Sequence, residues 1–331
     1  MKILFTAVGR RVELMQTFHA AAVKTGIALQ IYGADVSDTA PALQFCDKSV
    51  MVPRIADAGY IPVLLSICER EKIDALIPTI DTDLLLLSRC KEQFAAIGTR
   101  VMIAAADKIA LCRDKRLTAD YFEGLGLHSP HPVDRFEDYY GAYPAFIKPK
   151  DGSSSIFAYK AHNEAELKAY AQQVPDYIIQ PFIKGTEYTV DAFCDFEGKP
   201  IFITPRIRLA VRSGEVLKTE IAQDDRIIEE MQCLLADFKP CGQITVQLIR
   251  EEKSGEDHYI EINPRFGGGA PLSIKAGADS AYVLADPDDP AIRQEFLRWV
   301  HITVKGKKQI SQGLQNRRQT EADLYFKTEI S

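Results

Sequence analysis

Tyr259-Ile260-Glu261-Ile262-Asn263-Pro264-Arg265-Phe266-Gly267-Gly268-Gly269 is the stretch on which the fold turns. On an extended chain the side chains alternate with a period of two, so Glu261, Asn263 and Arg265 share one face while Ile260 and Ile262 turn to the core. Upstream, residues 243–251 read as another strand, and Lys253-Ser254-Gly255-Glu256 is turn chemistry. A hairpin centred on Ser254 sets Gln247 opposite Glu261, because the two lie equally far from the centre. Three oxygen-bearing side chains beside an arginine suit a hard divalent cation carrying phosphate. An Arg, Asn and Glu on the solvated face of a hairpin is the competing reading, so the rest of the chain has to decide.

Two further segments bear on that decision. Residues 144–148 read as a strand running through Lys148 into Asp151-Gly152-Ser153-Ser154-Ser155, a loop of small polar residues before another strand. Backbone N–H groups and hydroxyls in such a loop can fold over phosphates, with Lys148 adding positive charge. The GxxxxGK[ST] spacing and following helix of a Walker loop are missing, and a plain turn also explains Asp-Gly-Ser. Next, Tyr177-Ile178-Ile179-Gln180-Pro181-Phe182-Ile183-Lys184-Gly185-Thr186-Glu187 joins two strands through a short connector. Backbone groups there can read an adenine edge, and Glu187 can accept from ribose hydroxyls. A Lys-Gly turn is the plainer alternative.

The first hundred residues alternate apolar runs with helical patterns: strands at 3–8, 30–36, 48–52, 73–80 and 100–104, helices at 11–24, 60–72 and 83–97. This α/β rhythm implies a parallel sheet with helices on both faces, whose ligands bind beyond the carboxyl ends of the strands. Those ends carry Gly9-Arg10-Arg11, Asp35 and Asp81-Thr82-Asp83; the first and last are candidates for an acceptor pocket. From about residue 106 the pattern changes. Helices at 106–124, 163–174 and 224–238 are set among strands at 144–148, 155–160, 177–182, 187–196, 201–211, 243–251 and 258–263. That is an α+β arrangement with antiparallel sheets. Beyond 305 the chain is polar and basic and is expected to form an exposed tail.

The chain has 331 residues, enough for two or three domains. Its 40 Lys and Arg against 46 Asp and Glu leave a net charge of -6, which argues against nucleic acid or an anionic membrane as the main partner. No apolar run approaches the roughly 20 residues of a membrane span, and the basic residues at the start follow the apolar run, the reverse of a signal peptide. The 7 cysteines, an odd number, form no CxxC or Cys/His cluster, which disfavours disulfide and zinc frameworks. The reading is cytoplasmic.

Taken in order, Lys115, Lys148 with its small-residue loop, Gln180-Pro181-Phe182-Ile183, Glu187, Gln247 and Glu261-x-Asn263-x-Arg265 resemble the ATP-grasp superfamily. Within it the chain looks most like the carbamoyl-phosphate-synthase-like branch of ATP-dependent carboxylate–amine ligases. The resemblance covers roughly residues 1–285 and implies three units: a Rossmann-like pre-ATP-grasp domain over 1–105, a small ATP-grasp subdomain over 106–185, and a large one over 186–331 with the polar tail. It implies that Lys115 and Lys148 contact the phosphates of ATP and that Gly152, Ser153, Ser154 and Ser155 close over them. Gln180, Pro181, Phe182 and Ile183 would form the adenine hinge, with Glu187 on the ribose. Gln247, Glu261 and Asn263 would hold two Mg²⁺ ions (Mn²⁺ being the alternative), Glu261 bridging. Arg265 and Arg206 would stabilise the transferring phosphoryl group and the acyl phosphate. The chain departs from the family pattern at Gln180, where a glutamate is frequent, in the single glycine of the loop, and after residue 285.

The activity implied is activation of a small carboxylate as an acyl phosphate and its transfer to an amine, with a homodimer as the assembly. One ATP-grasp unit excludes a complete carbamoyl-phosphate-synthase large subunit, which has two. Readings from other classes are an ATP-binding regulatory subunit without turnover and a NAD-dependent oxidoreductase. The intact Gln247/Glu261/Asn263/Arg265 set argues against the first. The second lacks GxGxxG, since Gly9 is followed by two arginines.

Overall fold

A computed structural model describes residues 1–151, 156–212 and 214–281, and the backbone of 301–304 and 307–310. The N-terminal strands β1 (Lys2–Thr6), β2 (Gln30–Asp35), β3 (Lys48–Met51), β4 (Ala75–Pro78) and β5 (Arg100–Val101) form one parallel sheet in the order β3-β2-β1-β4-β5. The apolar runs of β1, β2 and β4 are buried on both faces, as the centre of a parallel sheet requires, while β3 at the edge is largely exposed. On one face α1 (Val12–Thr25) packs Leu14, Met15 and Phe18 against Ile3, Phe5 and Ile77. On the other, α2 (Tyr60–Glu71) packs Tyr60, Leu64 and Ile67 against Leu4, Tyr32 and Leu76.

Strand order reverses between β1 and β4, and in open α/β sheets that crevice receives the ligand. The backbone there is unusual. Ala7 has a left-handed φ of 50° and Gly9 a φ of 45°. For alanine that conformation costs roughly 1–2 kcal/mol. Thr79 Oγ1 steadies the turn by donating to the carbonyls of Thr6 (2.9 Å) and Ala7 (2.8 Å).

Two long helices expected from the sequence are each broken. The 83–97 pattern divides at Cys90 into α3 (Leu84–Arg89) and α4 (Lys91–Ala96), where the Cys90 N–H turns back onto the last carbonyls of α3. The 106–124 pattern divides at Asp114 into α5 (Ala106–Arg113) and α6 (Lys115–Gly124). Asp114 is extended and its carboxylate accepts from the Arg116 N–H, so it caps α6. Lys115 therefore stands at the start of a helix.

The second half holds two antiparallel sheets. β6 (Ala145–Pro149), β7 (Tyr159–Ala161) and β8 (Tyr177–Pro181) pair in the order β7-β6-β8, with Leu167 of α7 (Glu164–Ala171) in their core. The larger sheet runs β11-β10-β9-β12-β13, built from β9 (Gly185–Cys194), β10 (Pro200–Arg212), β11 (Glu215–Ile221), β12 (Gly242–Glu251) and β13 (Asp257–Asn263). β11 was not anticipated; it follows β10 after a turn containing Gly214, whose φ is 77°. One face of this sheet presents Val190, Val246, Leu248, Tyr259 and Ile262 to Ile227, Met231, Leu234 and Phe238 of α8 (Asp225–Phe238). The opposite face is polar, and after β13 the glycine-rich segment leads to α9 (Ala270–Lys275). Beyond 305, where an exposed tail was expected, the chain forms β15 (Lys307–Ile310), paired antiparallel with β14 (His301–Val304). Among the described residues no helix is long and apolar enough to cross a membrane.

Candidate active site

Period-two alternation aligns the polar residues of the larger sheet in rows. Arg206, Thr189, Gln247 and Glu261 form one row across β10, β9, β12 and β13; Thr204, Asp191, Thr245 and Asn263 form the next. Gln247 is thus opposite Glu261, by a route the sequence did not show. Near its turn the hairpin pairs Arg250 with Asp257 and Leu248 with Tyr259, a midpoint just before Ser254. A bulge at Ile260 then shifts the register and brings Glu261 to Gln247. As a consequence Ile260, expected in the core, is only half-buried, and Tyr259 takes the core position with Ile262.

Asn263 Nδ2 donates to Glu261 Oε1 at 3.0 Å, and both residues are half-buried, as is Gln247. The set offers one carboxylate and two amide oxygens, hard donors that suit Mg²⁺. Among the described residues no group of three or more His, Cys, Asp or Glu side chains is placed to hold a metal ion. Among these three residues Glu261 is the single carboxylate, and a phosphate-bound cation would bring negative charge of its own. These residues fit a cation that enters bound to phosphate.

Two lysines face the same carboxylate. Lys148 lies within β6, and its side chain is 9% exposed. Burial drives its ammonium down to about 8; the Glu261 charge raises it and Lys115 lowers it. Lys115 is also lowered, first by burial, with Glu261 the largest opposing influence. Its Nζ donates to the Lys150 carbonyl at 3.3 Å. Glu261 is the carboxylate that acts on both desolvated lysines, while Asp151, Asp114 and Asp81 act on Lys115 as well.

The other residues that the resemblance assigns to the nucleotide stand on neighbouring strands. Gln180 is buried in β8 opposite Phe146, beside the pairing of Lys148 with Ile178. Pro181, Phe182 and Ile183 are half-buried; the Phe182 N–H donates to the Pro144 carbonyl, and Lys160 Nζ sits 4.0 Å over the Phe182 ring. Glu187 is near the start of β9. Gly152, Ser153, Ser154 and Ser155 lie outside the described residues.

The arginines divide. Arg265 reaches across to the end of β4, donating from Nε to Asp81 Oδ1 at 2.9 Å and from Nη2 to Asp81 Oδ2 at 2.6 Å. Arg206 stands in the same row as Glu261, and its guanidinium is engaged on Asp191 while its Nη1 is buried without a hydrogen-bond partner. It is 2% exposed and held by Asp191, a buried carboxylate on β9 that accepts from its Nε at 2.8 Å. A Cβ on Gly269 would lie 2.5 Å from Arg206 Cζ, so only glycine lets the loop close over this guanidinium. Asp191 also accepts from Thr245 Oγ1 (3.2 Å) and Ser273 Oγ (2.7 Å), and Thr245 Oγ1 reaches the Arg265 carbonyl at 3.4 Å. Arg208, two residues on and passed over in the sequence, donates from Nη1 to Gln247 Oε1 at 2.7 Å. Its signal was the Arg-x-Arg spacing alone.

The strand-end acids also divide. Asp83 is fully buried; its Oδ2 accepts from Thr6 Oγ1 (2.8 Å) and Tyr60 OH (3.1 Å), and burial pushes its carboxyl up to about 6. Asp35 accepts the N–H groups of Gly9 and Ser37. Both serve the fold of the crevice, while Asp81 reaches the site.

Comparison with known proteins agrees with this geometry. The chain matches the PylC-like N-terminal domain family over residues 3–102 and the ATP-grasp domain family over residues 112–269. The carbamoyl phosphate synthase large chain of Campylobacter jejuni is 23% identical over 239 residues, covering 64% of this chain and 21% of that one. The 3-methyl-D-ornithine–L-lysine ligase of Methanosarcina acetivorans is 24% identical over 206 residues, covering 62% and 53%. Each match thus spans well under two thirds of the relative's length. Among solved structures, the biotin carboxylase domain of Hydrogenobacter thermophilus 2-oxoglutarate carboxylase, in complex with MgADP, ADP and bicarbonate, aligns with a TM-score of 0.69 at 16% identity over 86% of this chain and 69% of that one. This last likeness concerns the fold. With a parallel N-terminal sheet followed by two antiparallel sheets, the chain carries an ATP-grasp domain over residues 112–269 after a PylC-like N-terminal domain over residues 3–102.

Proposed function

We propose that this protein is an ATP-dependent ligase that activates a small carboxylate as an acyl phosphate and passes the acyl group to an amine, releasing ADP and phosphate. The observation that carries the reading is the convergence of the buried Lys148 and the half-buried Lys115 on Glu261, in line with Gln247 and beside Asn263. A carboxylate and ATP repel each other, so attack at the γ-phosphate waits on neutralisation. Two Mg²⁺ ions held by Gln247, Glu261 and Asn263 would supply that neutralisation. Lys148 and Lys115 hold the phosphates, Gln180 to Ile183 the adenine, and Glu187 the ribose. Arg265 steadies the transferring group.

The bonds balance without a protein nucleophile. A carboxylate oxygen attacks the γ-phosphorus and ADP leaves. The amine nitrogen then attacks the acyl carbon, phosphate leaves with the bonding pair, and the nitrogen loses a proton. The crevice at the β1/β4 reversal, with Asp81 and Gly9-Arg10-Arg11, is the proposed acceptor side. The test is ADP release at saturating Mg·ATP across a panel of amino acids and small acids offered singly and in pairs. Release that needs a carboxylate and an amine together supports the ligase. ATP binding that no pair converts to turnover would leave a regulatory nucleotide binder instead.

A further inference from the structure

Arg208 carries a charge that the protein does not fully meet. Its side chain is 6% exposed. Nη1 donates to the Gln247 amide oxygen at 2.7 Å and Nη2 to the Gly214 carbonyl at 2.9 Å, both neutral acceptors. Nε is buried without a hydrogen-bond partner, and Glu187 Oε2, at 3.4 Å, is the carboxylate beside it. Glu187 is 42% exposed, so much of its charge is spent on solvent. A buried guanidinium held by neutral oxygens is costly unless an anion completes it.

The oxygen that Arg208 holds is the one the Mg²⁺ reading needs. An amide oxygen between a guanidinium and a divalent cation brings two positive charges together, and the guanidinium, on its long flexible stem, is the one that moves. We infer that Arg208 is a phosphate-binding residue of this site: it rests on Gln247 here and turns to the terminal phosphate of the nucleotide when a cation takes Gln247. The same movement frees Glu187 from its ion pair. The inference rests on the ligase reading above and assigns to Arg208 a charge-stabilising place at this site; Arg206 is held by Asp191. Guanidinium suits it, since its planar fork matches phosphate oxygens.

The test is calorimetric binding of ATP, ADP and AMP to wild type, Arg208→Met and Arg208→Lys, each with Mg²⁺ and with EDTA, after thermal unfolding confirms folded protein. With Mg²⁺, Arg208→Met should weaken ATP by roughly tenfold or more and AMP by less than about threefold, the loss shrinking in EDTA; Arg208→Lys should fall between. Equal losses for ATP and AMP would assign Arg208 to the ribose side through Glu187 and overturn the inference. Unchanged ATP affinity in either folded variant also overturns it. Wild type that binds no Mg·ATP would overturn the ligase reading itself, a result distinct from binding that ignores Arg208.

Discussion

The Arg265 guanidinium is clasped by the Asp81 carboxylate through two hydrogen bonds of 2.9 and 2.6 Å, although the residues are 184 apart in the chain. The pair ties the end of β4 in the N-terminal sheet to the segment leaving β13, so the crevice and the proposed phosphate site share one contact.

The first prediction follows from that clasp. The pair is mostly withdrawn from solvent, with side chains 14% and 27% exposed. Asp81→Ala and Arg265→Ala should therefore show a coupling of roughly 1–2 kcal/mol in a double-mutant cycle of urea unfolding, above the worth of an open surface pair. Asp81→Asn should also lower kcat for ADP release while leaving the KM for ATP nearly unchanged, because the adenine and ribose contacts lie on other strands. Additive unfolding energies would mean that the contact does not hold the two halves together.

The second prediction concerns pH. Lys148 is held at about 8 against an ordinary 10.5, and burial is the main cause. Between those values the unfolded chain binds more protons than the native one, so this lysine's share of stability rises with pH through the window. Nucleotide acts the opposite way. Bound phosphate favours the charged ammonium, so ATP binding should take up protons above about pH 8 and weaken as pH rises. Calorimetry in buffers of different ionisation enthalpy measures the uptake. Lys148→Met should reduce it to whatever Lys115 contributes, and the same uptake in that variant would locate the titrating group elsewhere.

How much of this was legible depends on range. Strand alternation and turn chemistry act between near neighbours, so Gln247, Glu261 and Asn263 could be set on one face from the sequence, although the bulge at Ile260 could not. Asp114 inside a helical pattern was a readable cap, and the alternation of 215–221 was a readable strand. Arg206 and Arg208 share a strand face, and only Asp191, on β9, decides that the first is locked and the second reaches Gln247. The Asp81–Arg265 clasp depends on how two sheets pack, which no local pattern encodes.

The third prediction is structural. The Arg206–Asp191 pair is 2% exposed on both sides, and removing one partner leaves a buried charge. Arg206→Met should cost about 3–5 kcal/mol in chemical denaturation, and Asp191→Leu combined with it should cost less than the two single changes added. Gly269→Ala should also destabilise, since its methyl would press on the guanidinium. If Arg206→Met kept full stability yet lost ADP release, Arg206 would belong to the chemistry after all.

The last prediction returns to Glu261. Glu261→Gln removes the carboxylate set between Lys148, Lys115 and the proposed cations, and the Gln247 and Asn263 amides cannot replace its charge. Substrate-dependent ADP release should fall by several powers of ten, on the order of 4 kcal/mol or more of lost transition-state stabilisation. The lysines add a second consequence. Glu261 raises both of them, so without it Lys148 should titrate below about 8 and be partly neutral at pH 7.5. Stability at neutral pH should fall, because two desolvated ammonium groups lose the largest charge that opposes their desolvation, and it should recover as pH rises and they deprotonate. The measurement is urea unfolding of wild type and Glu261→Gln from pH 7 to 9.5, beside ADP release at saturating Mg·ATP. A gap in stability that closes with rising pH, together with lost turnover, fits one carboxylate serving both lysines and metal. A constant gap would detach Glu261 from the lysines, and turnover near wild type would remove it from the metal site.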